Sequence, residues 1–459
     1  MDPGDSALRN DVQMLSDAGV IHAPLTSWPL AWADVARDLK DVDDHLSPYL
    51  VEARQRVLRR YRRESRINDF SPHLRIAAAD HPRQLRTFAD TARESGELEA
   101  GADWTGSTFA YRLQMTAVDA PDDGRQFRFD GSYAAAILGN WAFSASEQSR
   151  WWGPGWDGSL ILSNNARPIP SITVQRHMSD PFATKWLHWL GPWQFLFTLG
   201  QLEGNRDIPH AKFLGMRLNF RPIPSLEIGA SRTAQWGGQG RPQDLSAFTD
   251  ILLGRDNLGS NGINRANEPG NQLAGFDFRW QSPLFKAPYA VYGQAIGEDE
   301  AGGWPSRYTG LFGIETWGPW GRHGASWRLH AEYADTATGG FYSSNPQFNY
   351  AYQHHIYTSG YTYYGRVIGD SLGGDGRILS VGLLVMDRRD REWEVLLRHS
   401  EPNRDQLNVT ESAVELAHRF QWAGQDIALR GAVVRSHDQT LGNTDTEEQI
   451  ELQWRRDFE

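Results

Sequence analysis

Tryptophan, histidine and carboxylate residues gather on glycine-rich stretches of this 459-residue chain, and each gathering admits a chemistry. WWGPGWDGS, residues 151–159, sets Trp151, Trp152 and Trp156 around Gly-Pro-Gly, with Asp157 beside them. Indole rings pack on the C–H faces of sugars, and Asp157 and Asn164 are placed to hydrogen-bond the hydroxyls. The same rings would also suit a membrane-interface girdle, with glycine and proline turning the chain. Three further stretches share this make-up: AQWGGQGRPQD with Trp236 and Arg241, GEDEAGGWPSR with Asp299 and Trp304, and NYAYQHHIYTSGYTYYG with His354, His355 and Tyr357. Aromatic rings interleaved with Asp, Asn, Gln and Arg make a carbohydrate-like surface.

Other chemistries find less support. GDSLGGDG, which carries Asp370 and Asp375, and GEDE at 297–300 concentrate oxygen ligands suited to a calcium ion, but neither has EF-hand spacing. His354 and His355 are adjacent, so on an extended chain they point apart and do not chelate one ion. Asp370 with His355 would activate water only within hydrogen-bond reach, which nothing in the sequence requires. There is no G-x-S-x-G elbow, no HExxH and no cysteine. The expectation is a protein that performs no catalysis and holds no metal or cofactor.

These stretches need elements to position them. The chain has 46 Lys and Arg against 57 Asp and Glu, a net charge of −11, which excludes a polybasic nucleic-acid footprint. No window approaches the ~18 consecutive apolar residues of a membrane helix, a test that barrel strands escape because they face lipid only at alternate positions. MDPGDSALRN lacks the charged and apolar regions of a signal peptide, so the chain is either cytoplasmic or has had its signal replaced by a start methionine.

The first 66 residues carry a helical period. Leu8, Val12 and Leu15 share a face that ends at Gly19, a second helix runs through about 31–40, and a third starts at Ser47-Pro48. From about residue 67 the period becomes two. Phe109, Tyr111, Leu113 and Met115 oppose Ala110, Arg112, Gln114 and Thr116. Phe127, Phe129, Tyr133, Ala135 and Ile137 oppose Arg128, Asp130 and Ser132, and Ile450, Leu452 and Trp454 oppose Glu451, Gln453 and Arg455. Eighteen such strands can be placed, near 67–80, 84–97, 103–118, 126–138, 141–149, 167–177, 192–203, 209–221, 226–234, 271–281, 288–297, 307–316, 326–335, 376–387, 390–400, 410–420, 426–436 and 447–458. Their length, their even number and their terminal aromatics favour a membrane barrel over a soluble sandwich. Even-numbered connections such as GELEAGA, LGNW, RPIPS, DRRD and WAGQD are short. Odd-numbered ones hold the long insertions 150–166, 235–270, 298–306, 336–375 and 437–446. Short periplasmic turns and long external loops are the outer-membrane pattern. Inward charges such as Arg112, Arg128, Asp130, Glu227, Asp277, Arg328 and Glu332 read as salt-bridge ladders in a wet lumen, or as the lining of a selective pore.

At these residues the sequence resembles the Wzi family of outer-membrane capsule-assembly lectins. The resemblance is carried by LSDAGVIHAPLTSWPL, WWGPGWDGSL, GPWQ, IPHAK, GASRTAQWGGQGRPQ, EPGNQLAGFDF, GEDE, HHIYTSGY and GDSLGGDG, in order along nearly the whole chain. It implies an all-β transmembrane barrel of about 18 antiparallel strands (residues 67–459), closed on the periplasmic side by a small α-helical bundle (residues 1–66). It also implies a multi-pass protein of the bacterial outer membrane that holds capsular polysaccharide or exopolysaccharide at the cell surface. The expected partners are that polymer, outer-membrane lipid and the polysaccharide export channel, with the protein a monomer. Barrel chains usually end on an aromatic, whereas here Glu459 follows Phe458. The rival expectations are a porin for small solutes and a surface hydrolase active at the barrel rim.

Overall fold

The computed structural model describes residues 1–40, 46–253, 270–282, 284, 287–301, 304–321 and 324–458, without the side chains of 253, 299–301 and 304–306. Eighteen antiparallel strands close into one barrel. They are β1 (Asp69–Ala79), β2 (Gly96–Thr105), β3 (Phe109–Asp119), β4 in two pieces (Phe127–Arg128 and Tyr133–Leu138), β5 (Trp141–Ser146), β6 (Ser171–Arg176), β7 (Trp193–Gln201), β8 (Lys212–Ile223) and β9 (Leu226–Trp236). They continue with β10 (Gly270–Gln281), β11 (Tyr289–Ala301), β12 (Trp304–Trp320), β13 (Ala325–Asp335), β14 (Arg377–Met386), β15 (Glu392–Glu401), β16 (Val409–Trp422), β17 (Gln425–Asp438) and β18 (Asn443–Asp457). Closure runs from His73 opposite Asp457 to Ala79 opposite Glu451.

The alternation read from the sequence sets the two faces. Phe109, Leu113, Met115, Ile450 and Leu452 stand on the outer wall, while Thr116, Glu451 and Arg328 are buried in the lumen. Two strand placements are corrected. The strand expected at 84–97 is absent except for Gly96 and Glu97, which open β2; residues 81–95 are an inward loop in which Arg83, Arg86 and Phe88 are buried. Its sequence, HPRQLRTFADTARES, has no apolar face to offer lipid, and Arg83 Nη2 instead donates to Glu415 at 2.5 Å. GELEAGA is not a turn but opens β2, and the stretch read as one strand at 103–118 turns at 106–108 to become β2 and β3. The two differences cancel in the strand count.

The faces in β4 also exchange partway along. Phe127 is exposed outside and Arg128 is buried, but Tyr133, Ala135 and Ile137 line an internal cavity while Leu138 points out. An irregularity at 129–132, with Gly131 at φ +95°, makes the switch. Two of the expected long insertions are hairpin instead: 298–306, where β11 and β12 pair as far as Ala301 and Trp304, and 437–446, where β17 and β18 pair as far as Asp438 and Asn443.

Three helices precede the barrel: α1 (Ser6–Asp17), α2 (Trp32–Asp38) and α3 (Pro48–Glu64); a fourth, α4 (Leu245–Leu253), lies in the ninth connection and carries no signal used above. Asp5 caps α1 by accepting from Leu8 N at 2.9 Å, and Gly19 follows it at φ +76°. Pro48 begins α3 behind Ser47, whose side chain makes no cap bond. Arg56 of α3 grips Asp11 of α1 in a fork, with Nε at 2.7 Å and Nη2 at 2.6 Å. Leu8, Val12, Leu15, Val35, Ala53 and Val57 form the helices' core together with Phe88, Trp151 and Trp317 from the barrel. The helices sit at the short-turn end, where Arg59 pairs with Asp390 at 2.7 Å and Arg63 with Asp457 at 3.2 Å.

Candidate functional site

An eighteen-strand barrel encloses more space than its own inward side chains fill. The long connections turn inward to fill it, and WWGPGWDGS leads. Trp151 and Trp152 pair with Trp28 and Ser27 in a two-residue ladder, and both indoles are 0 % exposed. Phe88 sits edge-on to Trp151 at 5.5 Å and to Trp28 at 5.2 Å. Trp156 stacks on His330 at 5.6 Å under the guanidinium of Arg9 at 4.1 Å, and its indole N–H donates to Glu315 at 2.9 Å. Glu332 of β13 then accepts the backbone N–H groups of Trp156, Asp157 and Gly158 at 2.8, 3.1 and 2.7 Å, so one carboxylate holds the turn. Gly153, at φ +145°, supplies a backbone conformation other residues rarely adopt. The girdle reading of these rings is corrected. They stand in the lumen, where the helices offer indole a dry surface, and Trp151, Trp152, Trp156 and Asp157 show little or no surface to a polymer outside.

Four more of the candidate residues are also buried. Tyr357 donates to the Gly237 carbonyl at 3.2 Å, and Trp236 packs on Phe248 of α4 at 5.3 Å. Asp375 accepts from Asp405 N at 3.2 Å. Asp370 accepts from Leu372 N at 3.0 Å, and burial, with Asp157 nearby, raises its pKa to about 7. Arg241 and His354 are half-buried and His355 is exposed. The two histidines do not point apart, because the chain bends there rather than running extended, and their ring centroids lie 4.4 Å from each other. His354 Nδ1 accepts from Ile356 N at 3.2 Å, and burial beside His355 and Arg241 lowers its pKa to about 4. Asp370 faces inward against Gly158 while His355 is exposed, so the two do not come together as a water-activating pair. The side chains of Asp299 and Trp304 lie outside the described residues. Among the described residues no group of three His, Asp or Glu is arranged to hold a metal ion.

The inward charges pair mostly with loops and helices. Arg217 and Asp277 do face each other across strands at 2.7 Å. Glu227, however, accepts from Leu25 N, Thr26 N and Thr26 Oγ1, and Arg328 bridges Glu315 and Asn10. Arg112 reaches Asp2 and Asp103, Arg128 reaches Glu94, and Asp130 holds Arg167. These bonds fasten the filling to the wall. A cavity of about 640 Å³ remains on one side, between the chain's first residues and the walls β1–β5 and β15–β18.

Exposed aromatic surface at the loop end comes from Tyr342 and Phe348, which the sequence reading did not single out, beside Asn349, Tyr350 and Arg307 from two of the stretches it did. Tyr342 is 58 % exposed, and its hydroxyl accepts from Tyr308 N at 3.2 Å. Phe348, also exposed, lies under the guanidinium of Arg404 at 5.1 Å, and Arg307 covers Tyr350 at 4.4 Å. Asn349 between them donates to Asp405 at 3.2 Å, and Arg404 is held by Asp335 and by the Asp375 carbonyl. The result is a patch of ring faces framed by guanidinium, amide and carboxylate groups. Its signal in the sequence is FYSSNPQFNY (341–350), aromatics flanking a Ser-Ser-Asn-Pro turn that keeps the segment at the surface.

A model of the family described as capsule assembly protein Wzi matches residues 66–450. A 55.8 kDa protein in the cps region of Klebsiella pneumoniae is 36 % identical over 438 residues, which is 94 % of this chain and 82 % of that protein. Among solved structures, Wzi of Escherichia coli superposes with a TM-score of 0.85 at 30 % identity, covering 99 % of this chain and 98 % of that one. That protein is described as an outer membrane protein involved in group 1 capsule assembly and as a carbohydrate-binding β-barrel. With its closed barrel and these matches taken together, the chain is an outer-membrane β-barrel that belongs to the Wzi capsule assembly family.

Proposed function

We propose that the protein is a lectin that holds capsular polysaccharide on the outer face of the cell, without chemistry on the ligand. The observation that carries this reading is the patch of exposed Tyr342 and Phe348 and half-buried Tyr350 with Arg307, Arg404, Asn349 and Asp405, on a barrel whose lumen is filled over much of its section by loops and helices. Arg241, His354 and His355 extend the surface offered to the polymer. Each ring face contributes about 0.5–1.5 kcal/mol, so a single sugar binds weakly. Retention comes from many contacts along a repeating chain, through effective concentration. Residues 1–66 act as the periplasmic plug of the barrel formed by 67–459, the protein works as a monomer, and the polymer reaches it from the export channel.

The test is retention of the host's own capsular polysaccharide by detergent-purified protein, with dextran as control. The variant Tyr342→Ala/Phe348→Ala/Tyr350→Ala should lose roughly tenfold or more in affinity, as loss of two or three such contacts requires, with its thermal unfolding unchanged. Retention undiminished in the variant would place the site elsewhere on the loops. No binding of capsule by the wild type would overturn the lectin reading.

A further inference from the structure

The sixth connection, residues 177–192, joins β6 to β7 at the helix end, where neighbouring turns are as short as 139–140 and 224–225. It presents PFATKWLHWL (181–190), in which Trp186 is 84 % exposed, Trp189 62 % and Leu187 41 %. Free indoles beside an aqueous compartment are costly, and here they are not mobile ends. His188–Leu190 form a 3₁₀ turn, and Gly191, at φ +65°, lies so close to the Arg221 carbonyl that a Cβ there would overlap it. The start of the connection is tied to the helices: Arg37 pairs with Asp180 at 2.7 Å, and Asp34 accepts from Ser179 N at 3.2 Å.

Two ring contacts fix the direction the segment faces. Phe182 stacks on Trp193 at 4.2 Å and 8°, and Trp189 meets Phe220 edge-on at 6.2 Å. Trp193 and Phe220 are direct cross-strand partners on β7 and β8. Their neighbours Gln194 and Asn219 are the buried, lumen-facing residues, so Trp193 and Phe220 stand on the outer wall. The segment therefore continues the lipid-facing surface of the barrel instead of hanging in the periplasm. Tryptophan, with an apolar ring and one polar N–H, partitions to the headgroup level of a bilayer, and a lysine beside it faces phosphate.

We propose that residues 181–190 form an interfacial foot lying in the headgroup layer of the periplasmic leaflet, with Trp186, Leu187 and Trp189 below the phosphates and Lys185 paired to them. The occupant is phospholipid, and the foot joins the helices to the membrane through Asp180 and Ser179.

The chain contains no cysteine, so one introduced thiol carries a unique label. Trp186→Cys and, separately, Trp189→Cys would be labelled with an environment-sensitive fluorophore and reconstituted in phosphatidylethanolamine–phosphatidylglycerol vesicles, with Leu441→Cys at the loop end as the aqueous control. Correct folding is checked by heat-modifiable migration. The proposal expects blue-shifted emission at 186 and 189, quenched severalfold more by doxyl-labelled lipid than by iodide, and the reverse at 441. Iodide quenching at 186 and 189 equal to that at 441 would overturn it and leave the face for a periplasmic protein.

Discussion

Trp152 and Asp370 show how single residues changed meaning once the barrel was built around them. Trp152 lies on a glycine-rich stretch, yet its ring is wholly enclosed beside Phe213, Thr198 and Gly215. Trp152→Ala should cost about 3–5 kcal/mol, as removal of a buried aromatic does, lowering the thermal midpoint while polysaccharide retention by the folded fraction stays the same. Asp370 makes a pH prediction. Its folded pKa, about 7, lies above its ordinary 3.8, so between those values the folded state binds the extra proton. Its contribution is full below pH 3.8, falls as pH rises towards 7 and is flat above. Asp370→Asn should therefore flatten the decline in stability between about pH 4 and 7, read from thermal midpoints across that range. A decline of equal slope in the variant would assign it to other groups.

At the scale of elements, the wall and the filling are joined by a few polar latches. Glu227 of β9 holds Leu25 and Thr26 by their backbone N–H groups, and Glu332 of β13 holds the turn after Trp156 in the same way. Charge-assisted bonds of this kind contribute about 1.5–3 kcal/mol when both partners are present. Glu227→Ala removes three of them at once and leaves Asn219 short of a partner. The expected result is faster limited proteolysis within residues 20–40 of a barrel that still migrates as heat-modifiable. Proteolysis at the wild-type rate would show the ladder of Ser27–Trp28 with Trp151–Trp152 to be sufficient by itself. Most element boundaries were legible where lipid faced the strand, but the turn at 106–108 lies between two apolar-faced stretches of the same period and was read through. At 84–97 charge on both faces left no such constraint, and at 129–132 a local irregularity reversed the faces without any change in composition.

Across the whole molecule, helices at one end and inward loops at the other leave a cavity of about 640 Å³ in the lumen, lined by Arg75, Arg112 and Arg430 against Glu97, Glu415 and Glu451. A barrel of this strand number without filling conducts as a porin does. Planar-bilayer recordings of this protein should show no stable steps of porin size. Such steps would mean that the helices or loops leave the lumen and would revive a transport role.

The amino-acid sequence by itself determined the strand number, the long connections 150–166, 235–270 and 336–375, the three leading helices and the family, because a membrane imposes a strictly local rule on every second residue of every strand. Only the tertiary structure decided where the loops go. Trp151, Trp152 and Trp156 have the composition of a sugar platform, yet they bury against Trp28, Phe88 and His330, residues distant in sequence. Burial of an indole depends on a matching cavity, and that cavity exists only after eighteen strands and three helices have closed around it. Tyr342 and Phe348 remain outside for the converse reason: they flank a Ser-Ser-Asn-Pro turn, whose residues favour the solvent-facing surface.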